Sequence, residues 1–77
     1  MTQIEVLGPG CAKCNVLYDH ARQAASELGI EFEIRKVTDM AAILGYGVMT
    51  TPALVVNGEV KLAGRVPSTE QLKAVLA

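Results

Sequence analysis

Between two short apolar runs, Gln3 to Leu7 and Ile30 to Val37, the chain carries one continuous stretch of helical spacing from Cys11 to Leu28. Cys14, Leu17, Ala21, Ala24 and Leu28 fall on one stripe, with Asp19, Arg22, Gln23 and Glu27 on the polar side. Gly8-Pro9-Gly10 separates the first run from this helix, and Gly29 stands where a glycine closes one. A helix joining two strands of one sheet is a crossover. The two strands are expected to be parallel, joined by a right-handed crossover through this helix.

The remaining signals complete the order. Ile30, Phe32, Ile34 and Val37 alternate with Glu31, Glu33 and Arg35, the pattern of a strand with one buried face at a sheet edge. Thr38 or Asp39 caps a short helix through Leu44, ended by Gly45-Tyr46-Gly47. Ala53 to Val56 reads as an apolar strand, and Asn57-Gly58 is a strong hairpin signal leading into Glu59 to Ala63. Gly64-Arg65-Val66-Pro67 breaks the pattern, and Ser68 with Gln71 forms a capping box for a last helix bearing Leu72, Val75 and Leu76. The expected fold is α/β, βαβαββα: a four-stranded mixed sheet of order 2-1-3-4 flanked by three helices. The absence of repeats, linkers or low-complexity stretches makes residues 1–77 a single expected domain.

Composition excludes several classes. Half the 77 residues are apolar, with one Phe, two Tyr and no Trp, so the core is filled by Val, Ile, Leu and Ala. The net charge is −1 and the cations are scattered, which together with the lack of an aromatic platform argues against nucleic acid. No stretch approaches the roughly 20 apolar residues of a membrane span, and no signal peptide is visible at the start, so no membrane is expected as partner. A cytoplasmic protein is expected. Two cysteines are too few for a secreted disulfide framework.

Cys11 and Cys14 therefore invite a chemical reading. Three residues apart at a helix start, they share a face of its first turn, within the roughly 5.5 Å Cα separation that an unstrained disulfide prefers. Cys11 opens the helix, where free N–H groups and the macrodipole favour a thiolate, and Lys13 adds a cation. Cys14 lies deeper on the apolar stripe, where desolvation favours the thiol. That division suits disulfide exchange, with Cys11 as nucleophile and Cys14 as resolving thiol. Two other readings stand beside it. The cysteines are simple core filling, or they hold a metal. Zinc wants four ligands and finds only His20 to add, whereas monovalent copper accepts two sulfurs, as in a copper or metalloid chaperone. Chaperones of the ferredoxin-like class, however, use a βαββαβ order.

Gly10-Cys11-Ala12-Lys13-Cys14, Thr51-Pro52 before the third strand, the Asn57-Gly58 hairpin and Gly64-Arg65-Val66 before the last helix together cover essentially the whole chain. In this order they resemble the small archaeal and bacterial thioredoxin-like redox-active disulfide proteins, which are glutaredoxin-sized. The resemblance implies a minimal thioredoxin-like fold and protein-disulfide reductase activity on disulfide-containing protein substrates. It further implies a cis Thr51-Pro52 bond, with Thr51 offering its backbone to a substrate strand, and substrate contacts from Pro52, Gly64 and Arg65. Regeneration is expected from an NAD(P)H-linked flavoprotein reductase of the thioredoxin type. The chain itself is expected to be a monomer that binds no cofactor and no metal. Ordinary thioredoxins carry Trp-Cys-Gly-Pro-Cys. Here Gly10 replaces the Trp and Ala12-Lys13 the Gly-Pro, and the features glutaredoxins use around glutathione are missing.

Counting back from Cys11 places Glu5 where thioredoxins hold a buried carboxylate that tunes the second thiol, here Cys14. The plain expectation is instead a solvated strand residue. His20 is expected on the surface or in helix packing, Tyr46 as a packing residue, and Met40 and Met49 as core fillers.

Overall fold

The computed structural model describes residues 1–10 and 12–77. Its elements are β1 (Thr2–Leu7), α1 (Ala12–Leu28), β2 (Phe32–Val37), α2 (Met40–Gly45), β3 (Ala53–Val56), β4 (Glu59–Ala63) and α3 (Thr69–Leu76). The sheet order is β2-β1-β3-β4, as expected. β1 pairs in parallel with β2, from Thr2↔Phe32 to Leu7↔Val37, and antiparallel with β3, from Ile4↔Val56 to Leu7↔Ala53. The burial of each strand follows from its place. Central β3 is buried at every residue, while edge strand β2 has no fully buried residue. β2 begins at Phe32 rather than Ile30, although the Thr2 N–H already reaches the Glu31 carbonyl at 2.9 Å.

The β3–β4 connection is made by Asn57 and Gly58, with φ of 52° and 82°. Two positive φ values in a two-residue loop are what the right-handed twist of a hairpin demands, and Asn-Gly adopts them at low cost. The Asn57 side chain accepts from the Gln3 N–H at 2.9 Å, which pins the turn to the start of β1.

The sheet divides the core in two. On one face Ile4, Val6, Leu54, Val56 and Leu62 pack against α1 and α3 through Leu17, Ala21, Leu72 and Leu76. Alanines at 21, 24 and 25, all fully buried, let α1 sit close in this layer. On the other face Leu7, Ala53 and Val55 pack against Ile43 of α2 and Val48. Because α2 is only six residues long, it covers little of that face. Met40 and Met49, expected as core fillers, are instead 51% and 93% exposed. Met40 opens α2 with its side chain in water, and Met49 lies between that helix and β3, where Val48 already fills the available core space. Among the described residues no helix is long and apolar enough to cross a membrane.

Candidate functional site

β1 ends at Leu7, and the next residue, Gly8, is held by its N–H to the Val37 carbonyl at 2.9 Å. Gly8 runs against the first turn of α1. A Cβ built there would collide with Cys14 Sγ, lie 3.2 Å from Cys14 Cβ and come within 3.9 Å of Thr51 Cβ. Cys14 is therefore seated where three segments meet: the end of β1, the start of α1 and the loop entering β3. It is 2% exposed. Cys11, the other half of the predicted pair, lies outside the described residues.

The loop entering β3 is built around Thr51-Pro52, whose peptide bond is cis. The Pro52 ring is fully buried. Its carbonyl accepts the Gly64 N–H at 2.8 Å, which brings the Gly64-Arg65-Val66 segment beside the proline. Gly64 has a φ of 79°, and a Cβ there would lie 2.9 Å from Thr50 Oγ1. Conformation and space both require glycine at this crossing. Ala12, Lys13 and Val16 of α1 face Gly64, Arg65 and Val66 across an open groove of about 400 Å³.

The fold thus gathers Lys13, Cys14, Thr51, Pro52, Gly64 and Arg65 at one end of the sheet. Glu5 stands apart, on the face that α2 covers. Its carboxylate is not solvated, because the residue is only 8% exposed and both oxygens are taken. Oε2 accepts from Arg35 Nη2 at 2.9 Å and Nε at 3.1 Å, and Oε1 accepts from the Tyr46 hydroxyl at 2.7 Å. Arg35 is the residue directly opposite Glu5 in the parallel β1–β2 register. Tyr46 hence has a polar task beside its packing one. Its hydrogen bond to Glu5, followed by burial, holds the phenol above its ordinary pKa. His20 serves in helix packing, its Nδ1 2.8 Å from the Pro67 carbonyl.

Residues 2–77 match the family model described as "Thioredoxin domain". The chain belongs to the thioredoxin family. A protein named "Thioredoxin" from Methanothermobacter thermautotrophicus is 44% identical over 77 residues, covering all of both chains. Another protein of that name, from Methanocaldococcus jannaschii, is 40% identical over 76 residues, covering 99% of this chain and 87% of the relative. A "Probable Thioredoxin" from Methanothermobacter marburgensis is 30% identical over 76 residues. Fold and relatives together make this chain a thioredoxin-type thiol–disulfide oxidoreductase.

Two parts of the site carry no signal in the sequence. The tight seat that Gly8 provides for Cys14 was hidden in an ordinary turn signal. Val16 and Val66, which face each other in the groove, are 50 positions apart and carry no mutual sequence signal.

Proposed function

We propose that Cys11 and Cys14 exchange a dithiol for a disulfide with protein substrates, Cys11 attacking and Cys14 resolving. The observation that carries this reading is the seat of Cys14, buried beneath Gly8 and beside Thr51, where the loop bearing Pro52 meets α1. A thiol so enclosed is poorly placed to meet a large substrate, and Cys11 precedes it by three residues in the sequence.

The reaction balances as two displacements. The Cys11 thiolate attacks one sulfur of the substrate disulfide, that bond breaks, and the departing sulfur leaves as a thiolate that takes a proton. Cys14 then gives up its proton and attacks the Cys11 sulfur. A Cys11–Cys14 disulfide forms and the second substrate thiol is released. Two electrons pass to the substrate, and of the two protons it takes up one comes from Cys14 and the other from solvent, to which Cys11 lost its own on forming the thiolate. Lys13 favours the attacking thiolate. Thr51 aligns the substrate backbone as an added strand, with Pro52, Gly64 and Arg65 forming the wall beside it. An NAD(P)H-linked flavoprotein reductase returns the two electrons, and residues 1–77 act as one cytoplasmic, monomeric domain.

Replacing Cys14 by Ser tests the assignment. Cys14→Ser is expected to accumulate a mixed disulfide with substrate on Cys11, visible as a mass adduct that reductant removes, whereas Cys11→Ser accumulates none. Equal trapping by both variants sinks the assigned roles. Titration of the reduced protein with copper and zinc separates this reading from a metal chaperone, for which tight metal binding with sluggish exchange is the signature.

A further inference from the structure

The groove between α1 and the segment before α3 has a chemical character that general disulfide exchange does not require. Its apolar part comes from Val16 and Val66. Val16 is 43% exposed, although it sits among Asn15, Asp19 and Arg22 on the outward side of a helix whose other large apolar side chains turn inward. Val16 is not part of either core cluster, and it lines this groove.

The charges are as uneven. Lys13 stands on one side of the groove and Arg65 on the other, and among the described residues that line it none is acidic. The other cations are mostly engaged: Arg35 with Glu5, Lys61 with Glu59, Lys73 with Glu27 and Glu70, and Lys36 with Asn15 and the Tyr18 ring. Lys13, Arg65 and Arg22 make no ion pair among the described residues. Two of these three therefore meet at one groove, in a chain whose net charge is −1. The local field is positive where the whole molecule is slightly negative.

We infer that this groove selects among disulfide partners, favouring an extended segment that carries an apolar side chain and an acidic one beside the cysteine under attack. The inference rests on the exchange chemistry proposed above and names its substrate class. The apolar side chain covers Val16 and Val66, and the carboxylate lies between Lys13 and Arg65. An extended chain fits better than a small thiol, because the groove is open to solvent. Its Gly64 wall is bonded to the Pro52 carbonyl, which puts the groove beside the Thr51-Pro52 loop.

The test uses the unmodified protein and three peptide disulfides that differ at one position beside the cysteine, reading Leu-Asp, Leu-Asn or Leu-Lys. Hydroxyethyl disulfide serves as a small uncharged control. At low ionic strength kcat/KM is expected to be about tenfold higher for the Asp peptide than for the Lys peptide, with Asn between and the spread shrinking in high salt. Arg65→Glu should invert the order, and Val16→Ser should lower kcat/KM for all three Leu-bearing peptides. Equal kcat/KM for the three peptides at low salt, with hydroxyethyl disulfide reduced normally, overturns this inference and leaves the exchange reading standing. Failure to reduce any of the four disulfides overturns both.

Discussion

Gly8 shows how much one missing side chain can decide. The residue lies at the mouth of β1 with its backbone fixed by Val37, so it cannot retreat from Cys14 without breaking the ladder. Gly8→Ala would place a methyl group on Cys14 Sγ and 3.2 Å from its Cβ. Either the first turn of α1 moves or Cys14 rotates out of its seat. Overpacking of this kind costs about 1–3 kcal/mol, and the expected result is a lower urea midpoint with an unchanged slope. The same substitution should raise the alkylation rate of Cys14 in a Cys11→Ser background, because the thiol loses its cover. An Ala variant with wild-type stability and a thiol still slow to react would mean that the site has slack the packing does not suggest.

Single elements are tied down by local devices, and α3 is the clearest. Ser68 Oγ accepts the Gln71 N–H at 3.2 Å, and Gln71 Oε1 accepts the Ser68 N–H at 3.0 Å, so the capping box is closed in both directions. Ser68→Ala removes one half and should cost about 1 kcal/mol, read as a shift in denaturation midpoint, while Ser68→Asp should retain most of it. The cap is exposed, so an equal loss in both variants would point to something other than capping. Devices of this range were legible in the sequence: the Ser68–Gln71 pair, Asn57-Gly58 and the stripe of α1 each act within a few residues. The Glu5–Arg35–Tyr46 cluster was not. Its members meet only once β1 and β2 are in register and α2 has delivered Tyr46, and the expectation that a short sheet leaves its faces exposed does not foresee that cover. Met49 failed for a related reason, since apolar character says nothing about whether a nearby Val48 has already filled the space.

The whole molecule is two layers on one sheet, and each layer carries a polar tie whose ionisation reports on it. Lys73 of α3 bridges to Glu27 of α1 across the larger layer. That hydrogen bond, aided by Gln23, lowers the Glu27 pKa from 4.5. The smaller layer is fastened by the Tyr46 hydroxyl on Glu5, which raises the phenol above 10.0. The signs follow from linkage. A depressed carboxylate adds stability that is present above its unfolded value and lost as pH falls through the folded one. A raised phenol adds stability that is complete below its unfolded value and lost as pH rises through the folded one. The layers should therefore respond at opposite ends of the pH scale. Tyr46→Phe is expected to be less stable than the parent by about 1 kcal/mol at neutral pH, the net worth of one partly exposed hydrogen bond to a charge. That difference should hold around neutral pH and shrink as pH climbs past 10.0, where the parent begins to lose the same bond. Glu27→Gln should behave in the opposite way, its deficit vanishing in acid and fading in salt, because the bridge is exposed. Denaturant unfolding of the three proteins across pH measures both differences directly. Because each is taken against the parent at the same pH, titrations elsewhere in the chain cancel. A Tyr46→Phe deficit that grows with pH would show that the phenol does not stabilise α2 through Glu5.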